Sequence, residues 1–384
     1  MKKGITTLMI LLIFLIIPMT YTYGASEEET IQSQQDEFKI NEFIDKSEQY
    51  TGEFFEGIDI QEILNQAIKG EVDNSTIIKR ILNLLGQEVI MNLKAIGSIL
   101  AIIIIHAILK SISESLQNDG ITKLIYYAQY IMIVTIIMTN FSGIVTLVQD
   151  TTNNLVAFMQ MLVPLLIVLM TYTGSITTST VLEPIILFLV NFVGNMIQTM
   201  IIPLVLVFTS LVIISKISEQ VQVDKLAKFL KSGIVWFLGI VLTIFVGVVS
   251  LEGTLSSSVD GITAKTTKAV VSSAIPVVGK ILGDAVDTVL GCGIVLKNAV
   301  GIIGVIIIIG ICIMPIIKLA ILTISYKLVA VATQAIADSK ITGLLDEIGD
   351  IFKIFLGILC AISFMIIIAT ALVLKMSNGA MMYR

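Results

Sequence analysis

Residues 271–301 read VSSAIPVVGKILGDAVDTVLGCGIVLKNAVG and form a polar interruption between strongly apolar segments. The stretch contains a proline, five glycines, two lysines, two aspartates and an asparagine. An unpaired backbone group in hydrocarbon costs several kcal/mol, so a segment broken by proline and glycine is stable only where protein or water covers it. Broken segments of this kind often mark a transport pathway or a binding site. The stretch therefore predicts a re-entrant or otherwise irregular membrane segment.

The composition of the whole chain is that of a multi-pass membrane protein. Of its 384 residues, 56% are hydrophobic and only 14% are charged, and the mean hydropathy is +0.97. These values predict an all-α polytopic membrane fold with about six to eight helical membrane segments. Cys292, Cys312 and Cys360 lie in apolar surroundings without paired spacing. We therefore expect buried free thiols rather than disulfides or a zinc site.

Residues 1–25 have the layout of a secretory signal peptide. Two lysines precede an apolar run over residues 5–17, and a proline and small residues follow it. Residues 26–88 hold fifteen acidic and five basic residues, with apolar residues among them at roughly helical spacing. This segment is predicted to be a small helical region outside the cytoplasm. Its apolar face either packs on the membrane domain or docks an extracytoplasmic partner.

Residues 89–150 are expected to contain the first membrane helices, over residues 89–109 and 124–148. The only histidine, His106, is a functional candidate as an ionisable group within a span, but it is within one turn of the span end, where a histidine can reach interfacial water. Tyr126, Tyr127 and Tyr130 at the start of the second span predict an aromatic belt at the membrane surface.

The sequence from residue 155 onward matches itself in four places, which indicates an internal repeat of units 151–252 and 253–384. The strings ILFLVNFVG (186–194) and GIVLKNAVG (293–301) share Leu, Asn, Val and Gly, and three other matches keep the same order. Each unit contains a segment broken by a proline, Pro164 or Pro276, followed by a long apolar helix, an amphipathic linker and a closing span. If three crossings make one unit, the second unit is inverted relative to the first, as in many secondary transporters.

The long apolar helices of the two units cover residues 181–214 and 294–327. Each would be about 50 Å long, against about 30 Å for a bilayer core, so each must kink, tilt or project from the membrane. Short basic loops stay in the cytoplasm, and the linker 215–231 carries four lysines against two acids. That linker is predicted to be cytoplasmic. Lys375 and Arg384 indicate a cytoplasmic C-terminus as well.

Lys280, Asp284 and Asp287 are the candidate functional residues of the polar stretch. They fall at i, i+4 and i+7 and share one helix face, with Lys297 further along the chain. Opposite charges at this spacing can neutralise each other, which lowers the cost of placing them at membrane depth. Two interpretations stay open, a structural ion-pair network and the lining of a pathway.

The matched asparagines of the repeat, Asn191 and Asn298, are also candidate residues of the polar membrane site, and the alternative role expected of them is to join helices by hydrogen bonds. No enzyme, metal, cofactor or nucleic-acid signature is apparent. A single histidine excludes an HExxH zinc site, and neither a phosphate-binding glycine loop nor a GxSxG nucleophile elbow occurs in the sequence. Gly283-Asp284 lacks the first glycine of the GxGD motif of intramembrane aspartyl proteases, because position 281 is isoleucine. The sequence therefore predicts a protein that is not an enzyme.

The polar stretch, the signal-like start and the acidic segment together resemble the stage III sporulation protein AE family of endospore-forming bacteria. The resemblance rests on the runs IPVVG (275–279), GDAVDTVLGC (283–292) and LKNAVG (296–301). It implies a protein of the mother-cell membrane that surrounds the forespore. It also implies that the other stage III proteins are its partners in a secretion-type channel complex that supports late forespore gene expression.

Two classes of function remain open after this resemblance. The chain is either a permease-like or channel component of the complex, or a structural platform on which the other subunits assemble. The family offers no catalytic residues, and the sequence does not identify a transported species.

Overall fold

The computed structural model describes residues 27–71, 74–115, 119–217, 224–274 and 278–378, and for residues 252–274 and 278–287 it describes the backbone only. The proposed signal peptide and Pro276 lie outside these ranges. Within them the chain forms helices and turns and no strand. The helices are α1 (Glu27–Glu37), α2 (Ile40–Thr51), α3 (Ile60–Lys69), α4 (Asn74–Ser115), α5 (Asp119–Tyr172), α6 (Ile176–Met196), α7 (Ile202–Ile217), α8 (Asp224–Ala274), α9 (Val278–Thr333) and α10 (Ser339–Asn378).

Six helices of the described chain are long and apolar enough to cross a membrane, which confirms the predicted fold class. They are α4, α5, the continuous pair α6–α7, α8, α9 and α10. α5 has 54 residues and α9 has 56. At 1.5 Å per residue each is about 80 Å long, far more than a bilayer core of about 30 Å.

The first predicted span begins earlier than the sequence indicated. α4 starts at Asn74 and runs through the expected boundary at residue 88 without a break. α5 likewise joins the predicted span 124–148 and the start of the first repeat unit in one helix. Residues 149–154 are polar, but a helix satisfies its own backbone groups, so polar side chains alone do not end it.

Pro164 does not break a helix, contrary to the sequence prediction, because it lies inside α5. A proline removes one backbone donor, and neighbouring helices of a membrane bundle can compensate for this loss. Pro203 has a visible effect instead. The turn Ile197–Ile201 just before it is π-helical, and Ile202 N donates to the Ile197 carbonyl. Because Pro203 has no N–H, the hydrogen-bond pattern shifts by one residue in this turn.

The part of the polar stretch that the structure describes, 278–301, is one continuous stretch of α9, so the re-entrant interpretation is wrong for it. Its glycines allow close packing of helices rather than breaking one. A Cβ on Gly293 would lie 3.0 Å from the Tyr172 ring, and a Cβ on Gly304, one turn beyond the stretch, would lie 2.7 Å from Leu162. At Gly301 a Cβ would overlap Leu374 of α10.

Contacts along α5 and α9 show that these two helices are antiparallel. Gly304 faces Leu162, while further along α9 the Tyr326 hydroxyl accepts a hydrogen bond of 3.4 Å from Asn140 Nδ2. Residue numbers therefore rise along α9 as they fall along α5. Phe352 of α10 packs edge-on against Tyr326 with the ring centroids 5.2 Å apart, so the start of α10 lies at the same level.

α5 is antiparallel to α6–α7 as well. Gln160 Nε2 donates to Asn191 Oδ1 at 2.7 Å, and the Tyr126 hydroxyl donates to the Lys216 carbonyl at 2.8 Å. The matched long segments of the repeat lie in α6–α7 and in α9. Since both are antiparallel to α5, they run in the same direction. The expectation of an inverted repeat is wrong for the described chain, while the duplication itself stays a prediction.

One end of the bundle carries the lysines Lys110, Lys123, Lys216 and Lys340, and we call it the lysine end. Lys110 binds Asp338 just before α10, Lys123 lies one turn before Tyr126, and Lys340 Nζ lies 5.8 Å from the centre of the Tyr126 ring. Since the six spans alternate in direction, the start of α4 and the end of α10 lie on the same side. The sequence predicts an acidic segment outside the cytoplasm and a C-terminus inside it. These two predictions therefore cannot both be correct.

The helices α1–α3 pack along α5 and α9 at the other end of the bundle. Phe43 and Tyr50 pack on Phe158, with ring centroids 6.0 and 6.3 Å apart. The Phe55 ring lies against Gly310 near the middle of α9. The apolar face of this segment is thus buried inside the protein, which answers the alternative that the sequence left open.

The outward face of α1–α3 is strongly acidic, and we call it the acidic face. Its exposed carboxylates are Glu28, Glu29, Asp36, Glu37, Glu42, Asp45, Glu48, Glu56, Asp59, Glu62 and Glu71. Lys46 Nζ lies 2.8 Å from Glu42, and this hydrogen bond and the lysine charge lower the pKa of the Glu42 carboxyl.

Candidate functional site

Four charged side chains join three membrane helices and form what we call the ion network. Lys327 of α9 lies 2.8 Å from Asp350 and 2.9 Å from Asp346, both on α10. Lys231 of α8 also pairs with Asp350. Asp350 therefore accepts from two lysines and is the centre of the network.

Local packing brings these side chains together. Asp346 and Asp350 are one turn apart on α10 and project from the same face. Gly349 lies between them, and a Cβ there would be 2.8 Å from Lys327 Cγ and 3.4 Å from the Thr323 carbonyl. The missing side chain allows α9 and α10 to approach closely, so that the Lys327 ammonium reaches both carboxylates.

A second charged cluster joins the end of α4 to the start of α10. His106 Nε2 lies 3.3 Å from Asp338 Oδ2, and Lys110 Nζ lies 2.5 Å from Asp338 Oδ1. The His106 residue is only 3% exposed. His106 therefore does not reach interfacial water, because the Asp338 carboxylate just before α10 covers it.

Lys297, which the sequence singled out, is completely buried between α9 and α10. It is 0% exposed, and its Nζ donates to the Leu374 carbonyl at 3.4 Å. Asn298 beside it is half-buried. Lys280, Asp284 and Asp287 lie on the first turns of α9, but their side chains fall outside the described part of the protein.

Asn191 is exposed and links two helices. Its Oδ1 accepts from Gln160 of α5, and its Nδ2 donates to the Leu187 carbonyl of its own helix at 2.7 Å. Gln198 Nε2 donates to Asn153 Oδ1 about two turns further along the same pair of helices. These amide pairs form a short polar seam between α5 and α6.

The sequence analysis did not single out the charged residues of 338–350. This stretch holds four acids and one base, and Asp338, Asp346 and Asp350 all pair with lysines of other helices. The i, i+4 spacing of Asp346 and Asp350 was the signal available for a shared helix face. Their lysine partners lie more than a dozen residues away in sequence, so spacing does not identify them.

Within the described ranges no group of three or more His, Cys, Asp or Glu residues could hold a metal ion. All three cysteines are free thiols. Cys292 and Cys312 are buried as expected, but Cys360 is exposed on α10, so that prediction is wrong for Cys360.

A bundle of six long apolar helices, joined by the ion network and by the cluster around Asp338, defines a multi-pass helical membrane protein. The chain belongs to the stage III sporulation protein AE family, whose model matches residues 58–377. It is 31% identical to a Bacillus subtilis (strain 168) protein described as stage III sporulation protein AE, over 307 residues that cover 80% of this chain and 77% of that protein. No solved structure matches the chain.

Proposed function

We propose that this chain is a permease-like or channel component of a secretion-type complex joining the mother cell and the forespore, and that it lies in the mother-cell membrane around the forespore. Membership of a stage III sporulation family supports the setting. The observation that carries the transport role is the ion network. Ionisable groups within membrane helices commonly face a bundle interior or a water-filled cavity and mark pathways for ions or substrates.

Packing alone does not account for four charges at this position. A single charge at the centre of a membrane helix costs about 2.5–3.5 kcal/mol on insertion scales. Replacing a buried ion network by apolar groups of similar volume is often neutral or stabilising. Apolar side chains would therefore hold α8, α9 and α10 together at no greater cost. The side chains of the network are also partly exposed at the surface of the helix bundle, from 19% for Asp350 to 54% for Asp346, so packing does not enclose them completely.

The test neutralises the whole network at once, with Lys231→Met, Lys327→Met, Asp346→Asn and Asp350→Asn in one chain. If the network serves transport, this variant should reach wild-type abundance and copurify with the other stage III proteins. It should nevertheless lose late forespore gene expression and heat-resistant spores.

A matched control is Lys318→Met, which removes an exposed lysine of α9 outside the network. It should sporulate normally. Wild-type spore yield from the fully neutralised variant would refute a role of the network in transport. A drop in its abundance as large as that of Asp350→Asn alone would show that the four charges only hold helices together.

The polar start of α9 is a second part of the proposed pathway. Asp284→Asn with Asp287→Asn would leave Lys280 without two nearby carboxylates, and adding Lys280→Met removes that charge as well. The triple variant is expected to assemble with its partners and to remain inactive. Full spore formation at normal protein level would show that these charges are structural.

An assembly platform is the alternative, and the acidic face is the observation that favours it. Exposed carboxylates on three short helices offer a surface for a basic partner. Replacing Glu42, Asp45 and Glu48 by their amides should then abolish copurification of the other stage III proteins while the protein stays folded. If that variant assembles and sporulates normally, the platform role through this face is refuted.

A further inference from the structure

The bundle is too long for the bilayer to enclose all of it. α5 has 54 residues, and at 1.5 Å per residue it measures about 80 Å against a hydrocarbon core of about 30 Å. One half of the bundle ends at the lysine end, and the other half is packed against α1–α3. The exposed side chains of the two halves indicate which of them lies in lipid.

The half packed against α1–α3 carries charges that exclude lipid. Gln34 binds the Val289 carbonyl near the start of α9 at 3.2 Å, and Phe55 lies against Gly310. The acidic face therefore extends alongside about 30 Å of α9. Eleven exposed carboxylates at this depth would each cost several kcal/mol in hydrocarbon. The exposed amide seam between α5 and α6 lies at the same level.

In the half at the lysine end, the exposed surface of α4 and α8 is largely apolar. Only 18% of the most apolar stretch of α4 and 17% of that of α8 are buried, against 61% for α9. Exposed apolar side chains on α4 and α8 include Ile105 at 55% and Trp236 at 70%. Both helices contribute to this half, because the end of α4 contacts Asp338 and the first turns of α8 carry Lys231. A surface of this kind is stable in lipid and unfavourable in water.

Charges also mark the two edges of this half. Lys123 of α5 lies at the lysine end, and Asp150, the next charged residue along α5, is exposed about 40 Å further on. Because α5 and α9 are antiparallel with Gly304 facing Leu162, the exposed Lys318 lies at the level of Asp150. Long charged side chains at both edges can reach the interface, so the distance between the two edges matches the thickness of a bilayer. Lysines at one edge indicate the cytoplasmic side.

We infer that the bilayer encloses only the half of the bundle between the lysine end and the level of Asp150 and Lys318, and that the half bearing α1–α3 stands in water on the extracytoplasmic side. The ion network then lies at the depth of the bilayer, where its two lysines and two aspartates neutralise one another by pairing. The polar start of α9 and Lys297 lie in the projecting half. This inference does not depend on the proposed transport role.

The single tryptophan of the chain, Trp236, provides the test. The full-length protein is reconstituted into phosphatidylcholine vesicles with or without brominated acyl chains. Trp236 fluorescence should lose most of its intensity in brominated lipid and respond little to iodide. In a Trp236→Phe background, Phe188→Trp places the probe at a residue that is 67% exposed in the projecting half. That probe should be quenched by iodide and not by brominated lipid.

Two further variants provide a second probe in each half, in case a substitution at one site prevents folding. Val168→Trp reports on the projecting half and Ile131→Trp on the lipid half, where the native residues are 50% and 64% exposed. They should behave like the Phe188 and Trp236 probes, respectively. Strong quenching of the Phe188 and Val168 probes by brominated lipid would overturn the inference, as would quenching of the Trp236 and Ile131 probes by iodide alone.

Discussion

Gly310→Ala tests whether the acidic N-terminal helices are an integral part of the membrane bundle. A Cβ at residue 310 would lie 3.0 Å from Phe55 Cδ2 and Cζ, and closer still to Cε2. Phe55 is only 6% exposed and has little room to move. Overpacking of this kind costs about 1–3 kcal/mol. Alanine in place of glycine inside a helix recovers about 1 kcal/mol. The net expectation is a loss of up to about 2 kcal/mol.

Gly357→Ala is the matched control, since that glycine lies inside α10 and a Cβ there meets nothing within 4 Å. It should stabilise the protein by about 1 kcal/mol through helix propensity alone. The assay is the apparent midpoint of thermal unfolding in detergent, with proteolysis of residues 27–71 as a second measurement. Gly310→Ala should lower the midpoint and speed the cleavage, while Gly357→Ala should do neither.

Phe55→Leu should rescue Gly310→Ala in part, because leucine lacks the ring atom that a new Cβ would meet. The two sites should therefore couple by about 0.5–3 kcal/mol in a double-mutant cycle. If Gly310→Ala is as harmless as Gly357→Ala, or if the cycle shows no coupling, the proposed packing of the N-terminal helices on α9 is incorrect.

Two other predictions concern charged pairs. Asp338→Asn should destabilise the protein by about 1–3 kcal/mol, because His106 and Lys110 lose a charged acceptor between α4 and α10. Asp338→Glu should retain part of the stability. An unchanged thermal midpoint of Asp338→Asn would contradict this expectation. The pKa of Glu42 is lowered by Lys46, so the contribution of this pair is present above the ordinary carboxyl pKa of 4.5 and is lost as the pH falls through the lowered value. Lys46→Gln should raise the pKa of Glu42 in a carboxyl NMR titration, and no change would show that the two side chains do not interact in solution.

The fold class followed from composition and hydropathy because the bilayer permits few architectures. A chain with this many apolar residues and no strand-like alternation must satisfy its backbone groups within helices. The helix boundaries were harder to predict from the sequence. Pro164 and the glycines of 271–301 suggested interruptions, but tight packing against other helices stabilises a continuous helix at these positions. Sequence patterns do not show which residues face a neighbouring helix.

The site was predicted less well than the fold. Lys297, which the sequence singled out, is fully buried among the described residues, while its assignment to a pathway stays a prediction. The ion network was missed because its members come from three helices. Lys231 and Asp350 are neighbours only after α8, α9 and α10 have packed together. Pairings of this kind depend on tertiary structure, whereas the i, i+4 pattern that highlighted Lys280 and Asp284 depends only on local helix geometry.

The packing of α1–α3 on α9 also sets an order of events during synthesis. The Gln34 side chain reaches the Val289 carbonyl across 255 residues of sequence. At translation rates of about 5–20 residues per second, roughly 13–50 s pass between the synthesis of these two partners. During that interval Phe55 has no α9 to cover it. The nascent N-terminal segment therefore lacks part of its packing until the fifth long helix has been synthesised, which leaves it open to proteolysis and aggregation in this period.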